Sequence, residues 1–592
     1  MNKKRILGAI TLASVLVFGL AACGGGNKGG GNKATETEDI SKMPIAVKND
    51  KKAIDGGTLD VAVVMDTQFQ GLFQQEFYQD NYAAQHMLPT VQPLFNNDAD
   101  FKIVDGGPAD LKLDEDANTA TIKLRDNLKW SDGKDVTADD VIFSYEVIGH
   151  KDYTGIRYDD NFTNIVGMED YHAGKSPTIS GIEKVNDKEV KITYKEVHPG
   201  MQQLGGGVWG SVLPKHAFEG IAVKDMESSD AVRKNPVTIG PYYMSNIVTG
   251  ESVEYLPNEH YYGGKPKLDK LVFKSVPSAS IVEAMKAKQY DIALSMPTDT
   301  YPTYKDTEGY QILGRPEQAY TYIGFKMGTF DKETNTVKYN PKAKMADKSL
   351  RQAMGYAIDN DAVGQKFYNG LRTGATTLIP PVFKSLHDSE AKGYTLDLDK
   401  AKKLLDDAGY KDVDGDGIRE DKEGKPLEIK FASMSGGETA QPLADYYVQQ
   451  WKEIGLNVTY TTGRLIDFQA FYDKLKNDDP EVDIYQGAWG TGSDPSPTGL
   501  YGPNSAFNYT RFESEENTKL LDAIDSKASF DEEKRKKAFY DWQEYAIDEA
   551  FVIPTLYRNE VLPVNDRVVD FTWAVDTKDN PWATVGVTAE KR

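Results

Sequence analysis

A chain of 592 residues is longer than one hydrophobic core comfortably serves, so two or three lobes are expected. With 39% hydrophobic and 27% charged residues it has the make-up of a soluble globule, not of a disordered or membrane-filling chain. Its formal charge of −22 speaks against nucleic acid as a partner and against electrostatic binding to anionic lipid, although it says little about a ligand held inside a cleft.

The N-terminus reads Met1-Asn2-Lys3-Lys4-Arg5, then an apolar run from Ile6 to Ala22, then Cys23. Cations ahead of such a run have the profile of an export signal. The run is at the short margin for crossing a hydrocarbon core of roughly 30 Å, and Gly8 and Gly19 weaken it further. Leu20-Ala21-Ala22-Cys23 resembles a bacterial lipobox, whose cysteine is lipidated and becomes the first residue of the mature chain. Cys23 is the only cysteine, which excludes an intramolecular disulfide and a zinc-thiolate cluster. Two acyl chains on it would anchor the protein stably at the extracellular face of the cell membrane. Residues 1–22 are therefore expected to be a signal peptide and 23–50 a tether. Its flexible part is Gly24 to Asp39, where no large apolar residue offsets the entropy of ordering. Loss of Lys3, Lys4 and Arg5 with the signal leaves a mature charge of −25.

Strand and helix signals then alternate, which argues α/β. Gly57–Val64 predicts a buried first strand, Thr121–Leu124 a short alternating one, and Gly181–Val185 with Glu189–Tyr194 a hairpin around Asn186-Asp187. Gly240–Met244 and Glu251–Tyr255 predict paired strands. Lys270–Val276, an amphipathic helix over Ser280–Gln289 and Tyr290–Leu294 form a strand-helix-strand unit. Further on, Tyr322–Phe325 predicts a strand, Ser349–Ile358 a helix, and Leu398–Gly409 a helix that Gly409 ends. Leu427–Phe431 and Leu456–Tyr460 predict strands flanking a helix over Thr439–Ile454. Glu515–Glu549 is mostly helical, and Ala550–Pro554 returns to strand.

Four ordered segments carry a family resemblance. They are Leu124-Arg125-Asp126-Asn127-Leu128-Lys129-Trp130-Ser131-Asp132-Gly133-Lys134-Asp135-Val136-Thr137-Ala138-Asp139-Asp140-Val141, Ile239-Gly240-Pro241-Tyr242, Leu350–Asp359 and Ile379-Pro380-Pro381. With them the chain resembles the peptide and nickel class of bacterial extracellular solute-binding proteins, and within it the oligopeptide-binding lipoproteins of Gram-positive importers. The first segment reads structurally by itself: a tight turn at Ser131–Lys134, then a helix capped by Thr137 and Asp140. The resemblance implies a bilobal α/β fold of the type II periplasmic-binding-protein kind with an extra inserted domain, three lobes in all. Domain I would comprise 51–90, 236–312 and 551–592, domain II 91–235, and domain III 313–550. Two crossings between the main lobes would let them close over a ligand.

It also implies an oligopeptide ligand, held by its backbone against strand edges with hydrated pockets for side chains. The expected edge is Asp483–Gly492, with Gln486, Gly487, Ala488, Trp489, Gly490, Thr491 and Gly492 as ligand-facing residues; its glycines let another backbone approach closely. Phe77, Tyr78 and Gln79 are expected on the opposite wall, with Trp209 and Tyr322 as further lining residues. Many relatives carry an aspartate three residues after the tryptophan, which pairs with the peptide amino terminus. Here that position is Gly492, and the nearest acid is Asp494, so either Asp494 substitutes or the amine is not clamped.

Asp412-Val413-Asp414-Gly415-Asp416-Gly417, running to Glu423, fits a twelve-residue calcium loop, although a strand rather than a helix follows. A structural Ca²⁺ and a solvated acidic turn are both open readings there. No cofactor is expected otherwise. Enzyme motifs are lacking: no His-Glu-x-x-His, no Gly-x-Ser-x-Gly and no phosphate loop, and the seven histidines are scattered. The expectation is a monomeric, non-enzymatic receptor that hands peptides to the membrane permease subunits of an ABC importer. A single signalling peptide, a nonpeptide solute such as a metal chelate or oligosaccharide, and a surface sensor or adhesin are the alternatives.

Overall fold

The computed structural model describes residues 42–576 and 580–592. The signal peptide, Cys23 and most of the expected tether lie outside the described residues. Among the described residues, no helix is long and apolar enough to cross a membrane.

Thr58–Val64 forms a strand that is almost wholly buried. It runs parallel to Lys270–Val276 on one side and to Ile292–Leu294 on the other. The helix Ser278–Lys286 connects those two neighbours and buries Ile281, Ala284 and Met285. A parallel strand covered on both faces has no solvent side, which is why its apolar run does not alternate.

This unit is the middle of an eleven-stranded sheet. From one edge the order is Asn457–Tyr460, Glu428–Ala432, Ile484–Gly490, Tyr310–Phe325, Val552–Asn565, Ile292–Leu294, Thr58–Val64, Lys270–Val276, Ser252–Pro257 and Tyr242–Val248, with Arg372–Gly374 paired to Val552–Asn565 off this path. Tyr310–Phe325 and Val552–Asn565 are long, antiparallel and adjacent, and they pass from one apolar core to another. Leu313, Leu562 and Val564 pack with Val61, Val63 and Leu294 in the first core. Tyr320, Tyr322, Phe325, Val552 and Leu556 belong to a second core, which also receives Leu443, Trp451 and Trp542 from helices. The pairing loses register between Pro316 and Tyr320 and again between Thr321 and Tyr322. The cores change over at this irregularity, so the boundary expected at 312/313 falls inside a strand.

A separate four-stranded antiparallel sheet, ordered Ala109–Asp114, Thr119–Leu124, Glu189–Thr193 and Ile182–Asn186, carries a third core with the helix Ala138–Gly149. Gly133 has φ +86° in the expected turn. The Asp140 carboxylate accepts from Thr137 N at 2.9 Å, Thr137 Oγ1 at 3.1 Å and Lys215 N at 3.0 Å. The most diagnostic segment thus builds structure. The same holds for Leu350–Asp359: Arg351 is buried and donates to the carbonyls of Met345, Glu549 and Ala550.

The tether expected over 23–50 is shorter at its C-terminal end. Val47 N donates to Phe571 O at 2.9 Å, Trp573 N to Ile45 O at 2.8 Å, and Gly314 N to Pro44 O at 3.1 Å. Met43 and Val47 pack against the first lobe, so these residues are docked where a tether was expected.

Candidate ligand-binding site

The strand Ile484–Gly490 has two unlike edges. One is paired along its whole length, from Phe325↔Ile484 to Ala319↔Gly490. The other is paired to Glu428–Ala432 only at Ile484 and Tyr485. Beyond Ala432 the chain turns aside, with Ser435 N donating to Ile466 O at 2.7 Å. Gln486, Gly487, Ala488, Trp489 and Gly490 therefore face no strand on that side among the described residues. Unpaired strand edges template the addition of another extended chain.

Side chains on this strand support the open edge. A Cβ on Gly487 would lie 2.8 Å from the Tyr322 ring, so glycine is required for packing there. At Gly490 the nearest atom to such a Cβ is 3.8 Å away, and at Gly492 nothing lies within 4 Å. Those two glycines border empty space. Gln486 is held by Ser433 Oγ, which donates to its Oε1 at 3.0 Å. Ala488 lies opposite Thr321. Thr491 N donates to Gln318 O at 2.9 Å, and Gln318 Nε2 donates to Gly492 O at 2.8 Å, which pins the end of the strand.

Trp489 is half-buried in an aromatic group. Its ring stacks on Tyr509 at 5.6 Å and Tyr322 at 6.4 Å, with Phe507 edge-on at 5.8 Å. Tyr322 is buried, and burial pushes its hydroxyl's pKa far up. Phe507 is 52% exposed, leaving an apolar face to solvent. Ser433, Phe507, Tyr509 and Gln318 were not anticipated; only the aromatic pair at Phe507 and Tyr509, in a loop otherwise rich in small and polar residues, carried a local signal.

Asp494 does not point freely into a cleft. Its Oδ1 accepts from Arg535 Nη2 at 3.1 Å and from Ser496 N at 3.2 Å. The second expected wall forms its own group. Phe77 is fully buried against Tyr153 and Phe218, so its ring keeps no face for a ligand. Tyr78 is half-buried beneath the Arg157 guanidinium, and Gln79 is exposed. Trp209 is half-buried, and its Nε1 donates to Glu76 Oε1 at 3.1 Å. Burial raises the Glu76 carboxyl above its ordinary pKa. Asp494 itself lies against Gly200, where a Cβ would come within 2.1 Å of its Oδ2.

In the acidic loop, Asp412, Asp414 and Asp416 bring carboxylate oxygens within 4.8 Å of one another. Glu423, the twelfth position, lies near Lys425 instead, at 3.7 Å. Asp412 also spends its oxygens on Gly415 N and Gly417 N. The arrangement lacks the bidentate acid of a calcium cage.

Residues 106–511 match the family described as bacterial extracellular solute-binding proteins, family 5 Middle. The chain is 37% identical to the oligopeptide-binding protein OppA of Lactococcus lactis subsp. cremoris (strain SK11) over a 603-position alignment covering 100% of this chain and 99% of the relative. A solved structure of lactococcal OppA, complexed with an endogenous peptide in the closed conformation, is 38% identical with a TM-score of 0.76, covering 90% of this chain and 100% of that one. AppA from Bacillus subtilis, solved with a nonapeptide, shares the fold at 21% identity and a TM-score of 0.66, covering 91% and 100% of the two chains.

Proposed function

We propose that this chain, which belongs to family 5 of the bacterial extracellular solute-binding proteins and is not an enzyme, captures oligopeptides for an ABC importer. The peptide lies extended between the lobes and pairs its main chain with the free edge of Gln486–Gly490. That open edge, beside empty space at Gly490 and Gly492, is the observation that carries the reading. The OppA name borne by a full-length relative supports the peptide as ligand. Main-chain pairing ignores side-chain identity, which suits a receptor of many sequences. Trp489, Thr491 and the exposed face of Phe507 line the groove. Trp209, Tyr78 and Gln79 belong to the opposite wall, and Tyr322 to the floor beneath Trp489. The amine of the peptide is not clamped, because Asp494 is already engaged. Binding uses no cofactor.

The three-lobe division proposed from the sequence is kept, with the changeover between domains I and III at Pro316–Tyr320. Cys23 carries the lipid that anchors the body beside the permease subunits. Replacement Cys23→Ser is expected to move the protein from the membrane fraction into the medium; retention in the membrane would overturn the anchor.

Native mass spectrometry of the mature chain purified without added ligand tests the function. A ladder of co-purified peptide masses supports it, and one discrete mass points to a dedicated ligand. A chain that takes up nothing from a peptide mixture overturns it.

A further inference from the structure

Arg535, on the helix Glu532–Glu549, has a side chain only 8% exposed, yet it reaches across two lobes. Its Nη2 donates to Gln203 Oε1 of the second lobe at 2.7 Å and to Asp494 Oδ1 of the third at 3.1 Å. Gln203 is oriented for this by its own amide nitrogen, which donates to Asp100 O at 3.3 Å. The other Asp494 oxygen sits on the second lobe at Gly200, where a Cβ would be only 2.1 Å away. One carboxylate oxygen is thus bonded in the seam and the other is packed against the second lobe.

Other contacts cross the same seam. Lys102 pairs with Glu532, Lys527 Nζ donates to Glu115 O at 2.7 Å, and the Phe101 and Phe383 rings lie 5.4 Å apart. Lys102 and Glu532 are 38% and 77% exposed, so solvent screens them and they contribute little. Arg535 and Asp494 are shielded, and a charge-assisted bond in that setting is among the stronger polar contacts.

We propose that Arg535, Asp494, Gln203 and Gly200 form a latch that holds the second and third lobes together, and that Asp494 serves closure in place of the ligand's amino terminus. This rests on the peptide reading and adds how the loaded state persists. The latch raises affinity by favouring the closed population without touching the ligand. Arg535 is a positioning residue in this scheme. With Asp494 engaged by Arg535, a peptide can carry a blocked end or extend beyond the groove at no loss.

The test uses the full mature chain and a synthetic nonapeptide pool in free-amine and N-acetylated forms. Arg535→Met and Gln203→Ala are each expected to speed dissociation about tenfold, the lower range for a hydrogen bond to a charged group, with association unchanged. Both pools should show the same factor, and the double variant should be no worse than the poorer single one. Small-angle scattering of ligand-free Arg535→Met should report a more open chain than wild type. Gly200→Ala, which leaves every charge in place but wedges the seam, should do the same; it carries the test if Arg535→Met melts early by circular dichroism. Asp494→Asn that weakens only the free-amine pool would make Asp494 an amine clamp and overturn the latch, as would variants that close and release peptide like wild type. A wild-type chain that binds neither pool overturns the peptide reading, while the scattering comparison still decides the latch.

Discussion

The Tyr322 ring fits beside the strand that carries Trp489 only because residue 487 has no side chain. A Cβ there would come within 2.8 Å of the Tyr322 hydroxyl oxygen and ring. Tyr322 is fixed from above by Trp489 and from the sides by Tyr320 and Tyr485, so it cannot yield. Gly487→Ala is therefore expected to destabilise the third lobe by about 1–3 kcal/mol, the usual cost of overpacking. Urea titration reads this, and an unchanged midpoint would show that the ring has room to move.

The free edge of Gln486–Gly490 makes a prediction about the ligand's backbone. Successive residues of an extended chain point their N–H groups to opposite sides. Single N-methylation scanned along a bound peptide should weaken binding at alternate positions only. Each affected position should lose about 1 kcal/mol, or roughly fivefold in affinity, by isothermal calorimetry. A flat scan would mean that side chains, not the main chain, hold the peptide.

A buried charge cluster supports the third lobe. Asp478 accepts from Lys326 Nζ at 2.5 Å and from Arg511 Nε at 2.7 Å, and all three side chains are nearly inaccessible. Burial would raise the carboxyl, but the two cations outweigh it and hold its pKa below the ordinary 3.8. A depressed carboxyl gives stability that is complete above the unfolded pKa and is lost as pH falls through the folded one. The wild-type melting temperature should accordingly drop steeply below about pH 4. Asp478→Asn leaves both cations buried without a counter-charge and should cost about 3 kcal/mol at neutral pH. Its melting temperature should lose the part of the acid slope that belongs to this carboxyl.

The acidic loop gives a test by metal removal. Asp412, Asp414 and Asp416 are exposed and turned in part to their own backbone, and Glu423 does not complete the set. Treatment with EDTA is expected to leave peptide affinity unchanged and to move the melting temperature by less than about 2 °C. A larger fall, reversed by calcium, would show that the loop closes on the ion.

Where apolar periodicity was strong, local sequence was enough. The buried run at Thr58–Val64 and the stripe Ile281, Ala284 and Met285 form the parallel unit they predicted. The edge strand was placed by resemblance, since Gln486–Gly490 has neither alternation nor a β-branched residue to mark it. The length of Tyr310–Phe325 was not legible because Gly314 and Pro316 interrupt its pattern; pairing with Val552–Asn565 overrides them. At Phe77 the residue type alone does not decide the role. An aromatic residue near an expected cleft reads the same whether it faces a ligand or, as here, Phe218 and Tyr153. Arg535 and Gln203 meet across 332 positions, and no local pattern could announce that bond.

The two crossing strands have a mechanical consequence. They are immediate neighbours, and both pass through the same break in register at Pro316–Tyr320 opposite Tyr557–Asn559. Two knuckles threaded on one pin permit swing and resist shear. If the lobes close as proposed, such a joint would guide them along a single arc, and the mouth of the groove would reopen in the same place after each release.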